Sequence, residues 1–162
     1  MLITIAALLL LSLVILRINN VFFSTSSVML DTKFGVLAVS LGTSIIEEAN
    51  SKAFDKATDT TSISQTSVLT TVASLGPEAG EIYPNFNDFD DFNGYVRSTA
   101  GDSSFQSAPF YISCQVGYIT PSNPESFVSS QTWHKKINVT VTSPSMKDTI
   151  RLSSVFSYWY FR

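Results

Sequence analysis

The chain has 162 residues, of which 44% are hydrophobic and only 14% are charged, and its formal net charge is −3. A chain of this size accommodates one globular domain with a modest core, and soluble domains usually carry about 25% charged residues. The low charged fraction predicts a surface rich in serine and threonine hydroxyls rather than in ion pairs. The ten Lys and Arg residues are scattered along the sequence, which argues against nucleic acid as a partner.

The chain begins with an apolar segment, residues 1–23, whose first sixteen residues are apolar except Thr4 and Ser12. A helix that continues through Phe23 would be about 34 Å long, enough to cross a bilayer if Arg17 extends to the headgroups. A secretion signal would begin with basic residues and end in a small-residue cleavage site, and the sequence has neither. The segment is therefore interpreted as a membrane anchor or as a helix that leaves the membrane and packs against copies of itself, rather than as a secretion signal.

The helical pattern continues without a proline to about residue 54, so residues 1–54 predict one long helix. Its second part, residues 24–54, is amphipathic, and apolar residues at steps of three and four predict a face that packs on a sheet. The residues of this face are Leu30, Phe34, Leu37, Leu41 and Ile45. Asparagines and hydroxyl residues within 18–27 predict the weakest part of the helix. Residues 1–23 are apolar all round, so lipid or other copies of the helix must cover them.

Residues 55–93 predict a surface loop that joins the helix to a sheet. The first part is rich in Ser and Thr, and the end interleaves Asp88, Asp90 and Asp91 with three phenylalanines. Carboxylates at this density supply the oxygen ligands that calcium prefers, so a metal site is one interpretation. The other interpretation is a tight turn whose phenylalanines pack on the core. The spacing of the aspartates does not match a known calcium loop.

Residues 94–162 predict a small antiparallel sheet, because segments rich in β-branched and aromatic residues alternate with turn signals. The predicted strands are residues 94–99, 110–119, 133–142 and 149–161. Asn138 begins an N-x-T sequence, and strand alternation places it on the solvent face as a glycosylation candidate.

Cys114 is the only cysteine and His134 the only histidine, so neither an intrachain disulfide nor a multi-histidine or multi-cysteine metal site can form. Cys114 is interpreted as a small buried hydrophobe, with an intermolecular disulfide or a reactive thiol as the alternative. His134 is interpreted as a strand residue without a catalytic role. The sequence also has no phosphate-binding glycine loop and no nucleophile motif, so we expect neither an enzyme nor a cofactor.

Together these elements predict an α+β fold, in which a long N-terminal helix packs by its C-terminal half on a small antiparallel sheet. This arrangement resembles the type IV pilin superfamily, including pseudopilins and archaeal pilins, and the residue-level likeness lies in the first 55 residues. The resemblance implies a homo-oligomeric helical filament at the cell surface. It also implies that the subunit resides in the cytoplasmic membrane until a pilus assembly machinery adds it to the filament.

The resemblance further implies that a peptidase removes a short basic leader before Met1 and that the amino group of Met1 is methylated. Ile5 departs from bacterial pilins, which usually carry Glu at the fifth mature position, so the subunit either assembles through apolar packing alone or is not an ordinary bacterial major pilin. The helix residues implied to hold the filament together are Met1, Leu2, Ile3, Ile5, Leu8, Leu9, Leu13, Leu16, Phe22 and Phe23.

Two other functions fit the same residues. One is a minor pilin or pseudopilin of a type II secretion-like system, present at a filament tip or in a short piston. The other is a single-pass, membrane-anchored, β-rich binding domain, which would be a stable monomer in detergent.

Overall fold

The computed structural model describes residues 1–105 and 108–158, with the backbone alone at Leu2. A long helix, α1 (Leu2–Asn50), is followed by a short one, α2 (Lys56–Asp59). The described residues contain four strands, which are β1 (Val96–Ser98), β2 (Tyr111–Tyr118), β3 (His134–Thr142) and β4 (Ile150–Ser157). Single 3₁₀ turns lie at Thr66–Val68, Val72–Ser74, Asp90–Phe92 and Ser103–Phe105. This arrangement confirms the predicted α+β fold.

The helix α1 is continuous over 49 residues, about 74 Å. Residues 18–27 are helical although the sequence predicts a weak point there, because no proline interrupts the ladder of backbone hydrogen bonds. The helix ends at Asn50, before the predicted end at residue 54. Ser51 closes the last turn by donating its hydroxyl to the carbonyl of Glu48 at 2.6 Å. The chain then turns into the domain, where Phe54 is buried.

The four strands form one antiparallel sheet in sequence order, β1-β2-β3-β4. Each observed strand lies within its predicted range, and the predicted end of the last strand includes residues 159–161, which lie outside the described residues. Ile137, Val139 and Val141 have no exposed surface, because alternate residues of β3 point into the core. The inward face of β3 is therefore apolar from Ile137 to Val141, with the buried Lys135 near the start of the strand.

The C-terminal half of α1 packs on β3 and β4. Phe34 and Ile45 are buried as the helical pattern predicts, and Leu37 and Leu41 are half-buried at the border of the core. The prediction for Leu30 is wrong, because this residue is 53% exposed. At that level the helix faces the connection between β3 and β4 rather than the sheet.

The α1 residues nearest the sheet are small. Ala38, Gly42 and Ala49 are buried on the contact face. A Cβ atom on Gly42 would lie 2.7 Å from Leu152 Cδ1 and 3.4 Å from Val141 Cγ2. The absence of side-chain volume lets the helix backbone approach the sheet closely, so the contact face is rotated from the stripe of leucines toward the small residues.

Replacing Gly42 with valine is expected to lower the free energy of unfolding by about 1 to 3 kcal/mol, since the new side chain overpacks the contact between α1 and β4. Gly35→Val is the matched control and is expected to change stability little, because nothing lies within 4 Å of a Cβ at that position. Denaturant titration of the full chain in detergent micelles, followed by tryptophan fluorescence, measures both. Equal effects of the two changes would contradict the close approach at Gly42.

Candidate functional site

The first half of α1 carries an apolar surface that the described part of the chain leaves uncovered. Every described side chain from residue 1 to residue 25 is exposed; Ile3 is 84% exposed and Phe22 69% exposed. The predicted assembly residues on this surface are Met1, Ile3, Ile5, Leu8, Leu9, Leu13, Leu16, Phe22 and Phe23. Leu2 is helical, but its side chain lies outside what the structure describes. A continuous apolar surface of this kind marks a contact with lipid or with protein.

The same helix is long and apolar enough to cross a membrane, judged by length and composition. The hydroxyls of Thr4 and Ser12 donate to the carbonyls of Met1 and Leu9, at 2.7 and 2.8 Å. Both polar groups are thus satisfied inside the helix, as burial in an apolar medium requires. The segment therefore suits either lipid or the interior of a helix bundle.

A buried charged cluster lies where the ends of the long loop meet the sheet. Lys135 of β3 has no exposed side-chain surface. Its Nζ donates to the carbonyl of Phe54 at 2.8 Å, to Asp55 Oδ2 at 2.8 Å and to Asp90 Oδ1 at 2.5 Å. The rings of Phe54 and Tyr118 lie 4.7 and 5.3 Å from the ammonium nitrogen, within the range of cation–π attraction. All three N–H groups of the ammonium are used, so the cluster fastens both ends of the loop to β3.

Asp55 accepts hydrogen bonds on both carboxylate oxygens. Its Oδ1 accepts from the backbone N–H of Ala57 at 3.1 Å, and its Oδ2 accepts from the backbone N–H of Thr70 at 3.0 Å and the hydroxyl of Tyr118 at 3.3 Å. Burial disfavours ionisation, but the charge and hydrogen bond of Lys135, with the backbone donors, outweigh it and lower the pKa of Asp55. Asp55 is therefore an ionised partner of Lys135 at neutral pH.

The lowered pKa of Asp55 predicts an acid-dependent loss of stability. Its ionised form contributes stability that is present above the ordinary value of 3.8 and lost as the pH falls through the lower folded value. We expect the unfolding free energy of the wild type to fall steeply below about pH 4, and that of Asp55→Asn to start lower and fall less. Denaturant titrations between about pH 2.5 and 6 measure both slopes. Parallel slopes would rule out this role of Asp55.

The three aspartates of the Asp/Phe segment do not point at one centre. Asp90 contacts Lys135, while Asp88 Oδ1 accepts from the backbone N–H groups of Asp90 at 2.9 Å and Asp91 at 3.3 Å. Burial, together with the charge of Asp90 and a hydrogen bond to it, raises the pKa of Asp88 to about 8. The predicted set of Asp88, Asp90 and Asp91 does not form a common ligand group among the described residues, because Asp90 pairs with Lys135, Asp88 turns to the backbone, and Asp91 groups with other carboxylates.

Asp91 instead faces two glutamates that sequence reasoning did not single out. One carboxylate oxygen from each of Glu78, Glu81 and Asp91 lies within 4.8 Å of the other two. A turn brings the glutamates together: the backbone N–H of Glu81 donates to the carbonyl of Glu78 at 3.0 Å, and Gly80 has a φ of +92°. The signal in the sequence was the pair of glutamates flanking an alanine and a glycine, since glycine readily adopts positive φ in such a turn.

The remaining predicted positions lie in the sheet. Cys114 is buried in β2, where burial raises the pKa of its thiol to about 12 and keeps it protonated, unlike a reactive thiol. His134 begins β3, and its Nδ1 lies 2.7 Å from Ser157 Oγ. Asn138 is half-buried between Ile137 and Val139, which point into the core.

The overall arrangement, a long apolar N-terminal helix on an antiparallel sheet, is compatible with the fold that the resemblance implies. The geometry offers the uncovered apolar half of α1 as a candidate interaction surface. Compared with protein-family models, curated proteins and solved structures, the chain has no match.

Proposed function

We propose that the chain is a structural subunit of a type IV pilus-like extracellular filament and that it polymerises through the apolar half of α1. The observation that carries the proposal is the exposure of every described side chain within residues 1–23, on all sides of a helix that continues without a break into the folded domain. A bundle of such helices would cover each one on every side and leave the sheet domains outside.

Apolar contact favours the bundle strongly in energetic terms. Burying a large apolar side chain contributes about 1.5 to 3 kcal/mol, while an exposed ion pair contributes about 1 kcal/mol or less. Arg17 is the only charged side chain in the first thirty residues. The filament is therefore expected to resist high salt, since salt screens charges and leaves apolar burial intact.

The same helix accounts for the state before assembly. Its length and composition suit the cytoplasmic membrane, where lipid would cover the surface that neighbouring helices later cover. In this scheme an assembly machinery transfers the subunit from lipid to filament, and the finished filament lies at the cell surface. The chain acts by packing, without catalysis.

A single-pass anchor for a β-rich binding domain is the second candidate, because the same helix satisfies the length and hydropathy of a membrane span. In that case residues 1–23 would contact lipid permanently, and copies of the chain would not touch each other along the helix. A minor pilin or pseudopilin would use the same contact between helices in a short or mixed assembly.

Electron microscopy of full-length protein, transferred from detergent into buffer, tests the proposal. We expect filaments that survive high salt. Monodisperse monomers would overturn the proposal, and short assemblies seen only with a second pilin-like chain would favour the minor-subunit alternative.

Oxidative cross-linking of Ser12→Cys adds a contact test, because the new thiol lies on the exposed apolar helix. We expect cross-linked oligomers in the filaments. The wild type is the matched control, since its single thiol, Cys114, is buried. Filaments in which Ser12→Cys does not cross-link more than the wild type would show that residue 12 faces no neighbouring copy.

A further inference from the structure

We infer that Glu78, Glu81 and Asp91 form a binding site for a divalent cation, with calcium as the preferred ion. The site lies on the domain, away from the exposed half of α1, and is independent of the filament proposal. It joins the 78–81 turn to the 3₁₀ turn Asp90–Phe92, two segments of the long loop.

Asp91 provides the first independent observation. This residue is 0% exposed, and its Oδ2 accepts from the backbone N–H groups of Asn87 at 2.8 Å and Asp88 at 3.2 Å. Its Oδ1 is also buried but has no hydrogen-bond donor among the described residues. A buried carboxylate oxygen without a partner is costly and calls for a ligand, which a cation at this position would be.

Glu78 provides the second observation. Its Oε1 contacts Lys56 Nζ at 3.0 Å, whereas its Oε2 is buried without a donor in the described part of the chain. The carboxylate of Glu81 is held in place by the backbone N–H of Glu78, which donates to Oε2 at 3.1 Å, and by the side-chain amide of Asn87, which donates to Oε1. Two of the three carboxylates in the group, those of Glu78 and Asp91, thus carry a buried oxygen that has no donor among the described residues.

The ligand atoms select the class of ion. Carboxylate oxygens bind hard cations, and nitrogen or sulfur ligands that would favour zinc are not part of the group. Magnesium keeps several waters and usually takes only one or two carboxylates, whereas calcium accepts more protein oxygens in a flexible geometry. A group of three carboxylates whose oxygens lie within 4.8 Å of one another therefore favours calcium, with water completing its coordination.

Lys56 is the cation in contact with the group, and its side chain is 56% exposed. It can therefore swing into water when a divalent ion enters. With three carboxylates and one competing lysine, we expect a Kd of about 0.1 to 1 mM, the range of calcium modules that work outside the cell.

The direct test is calorimetric titration of calcium chloride into full-length protein in detergent micelles, together with thermal unfolding in calcium and in a chelator. We expect saturable binding and a Tm that rises by about 3 to 8 °C at ten times the Kd. Magnesium chloride is expected to bind more weakly. No saturable binding up to about 10 mM calcium would overturn the proposal, and equal binding of magnesium would overturn the choice of calcium.

Variants separate a ligand role from a structural one. Glu81→Gln is expected to raise the Kd at least tenfold. Asp91→Asn is expected to abolish the calcium response and to be as stable as the wild type in chelator, because its amide group can donate to a neighbouring carboxylate. Lys56→Met is expected to lower the Kd, since it removes the competing charge. Glu125→Gln, which alters an exposed carboxylate paired with Lys136, is the control and should leave the Kd unchanged.

The same variants also define the result that would contradict the proposal. An unchanged Kd in both Glu81→Gln and Asp91→Asn would place any bound calcium elsewhere and overturn the assignment. If Asp91→Asn does not fold, Glu81→Gln and Lys56→Met still decide, because both alter half-buried or exposed side chains.

Discussion

Replacing Lys135 with methionine is expected to lower the free energy of unfolding by about 3 to 5 kcal/mol at neutral pH. Methionine fills most of the space of the lysine stem, but it leaves Asp55 and Asp90 buried without a counter-charge and the carbonyl of Phe54 without its donor. The stability is therefore lost because charged and polar groups stay buried without a partner, and not because a cavity forms. Denaturant unfolding of the full chain in micelles measures the change.

Lys136→Met is the matched control for this substitution. The side chain of this neighbouring lysine is only 7% exposed, and its Nζ donates to Glu125 Oε2 at 3.0 Å and to the carbonyl of Pro124 at 3.2 Å. Because Glu125 is 85% exposed and stays solvated without its partner, the loss is expected to cost less than that of Lys135, about 1 to 2 kcal/mol. Adding Asp55→Asn to Lys135→Met is expected to recover part of the loss, because one of the unpaired charges is then removed. Equal costs for the two lysines would contradict the buried-cluster interpretation.

Leu9→Lys is expected to abolish filament formation while the sheet domain stays folded. Leu9 is 61% exposed on the apolar helix, so the change leaves the core of the domain untouched. In a bundle of helices the new ammonium would be buried without a partner, and in a bilayer a lysine at the helix centre costs about 2.5 to 3.5 kcal/mol. Sedimentation and electron microscopy measure assembly, and the denaturant midpoint reports on the domain.

Leu9→Met serves as the conservative control and is expected to keep the filaments, since it preserves volume and apolar character. Filaments of normal length and abundance from Leu9→Lys would contradict the proposed role of this surface. Loss of the domain's denaturant transition would instead show that residue 9 supports the fold, against its observed exposure.

The helix and the strands are predictable because their signals are local. An uninterrupted run without proline predicts α1, and alternation at Ile137, Val139 and Val141 predicts the inward face of β3. Lys135 has the same parity as these residues and is buried on the same face of β3. The local pattern does not identify the partners of the Lys135 ammonium, because Asp55 and Asp90 lie 80 and 45 positions away in the chain.

The contact face of α1 shows a different limit. Periodicity counts large apolar residues and so predicts Leu30, which is exposed, but it gives no weight to Ala38, Gly42 and Ala49, which are buried. Small residues lie at the contact because the distance between helix and sheet depends on side-chain volume on both surfaces. That distance is a property of the packed pair and cannot be obtained from one element.

The amino-acid pattern alone was sufficient for the long helix, its apolar first half and the alternating strands, since neighbours along the chain determine each of these. The different partners of the three aspartates were decided only by the tertiary structure. Asp90 pairs with Lys135, Asp88 accepts a hydrogen bond from the backbone of a 3₁₀ turn, and Asp91 faces Glu78 and Glu81. Charged groups need partners once buried, and which partner is within reach depends on how distant segments pack.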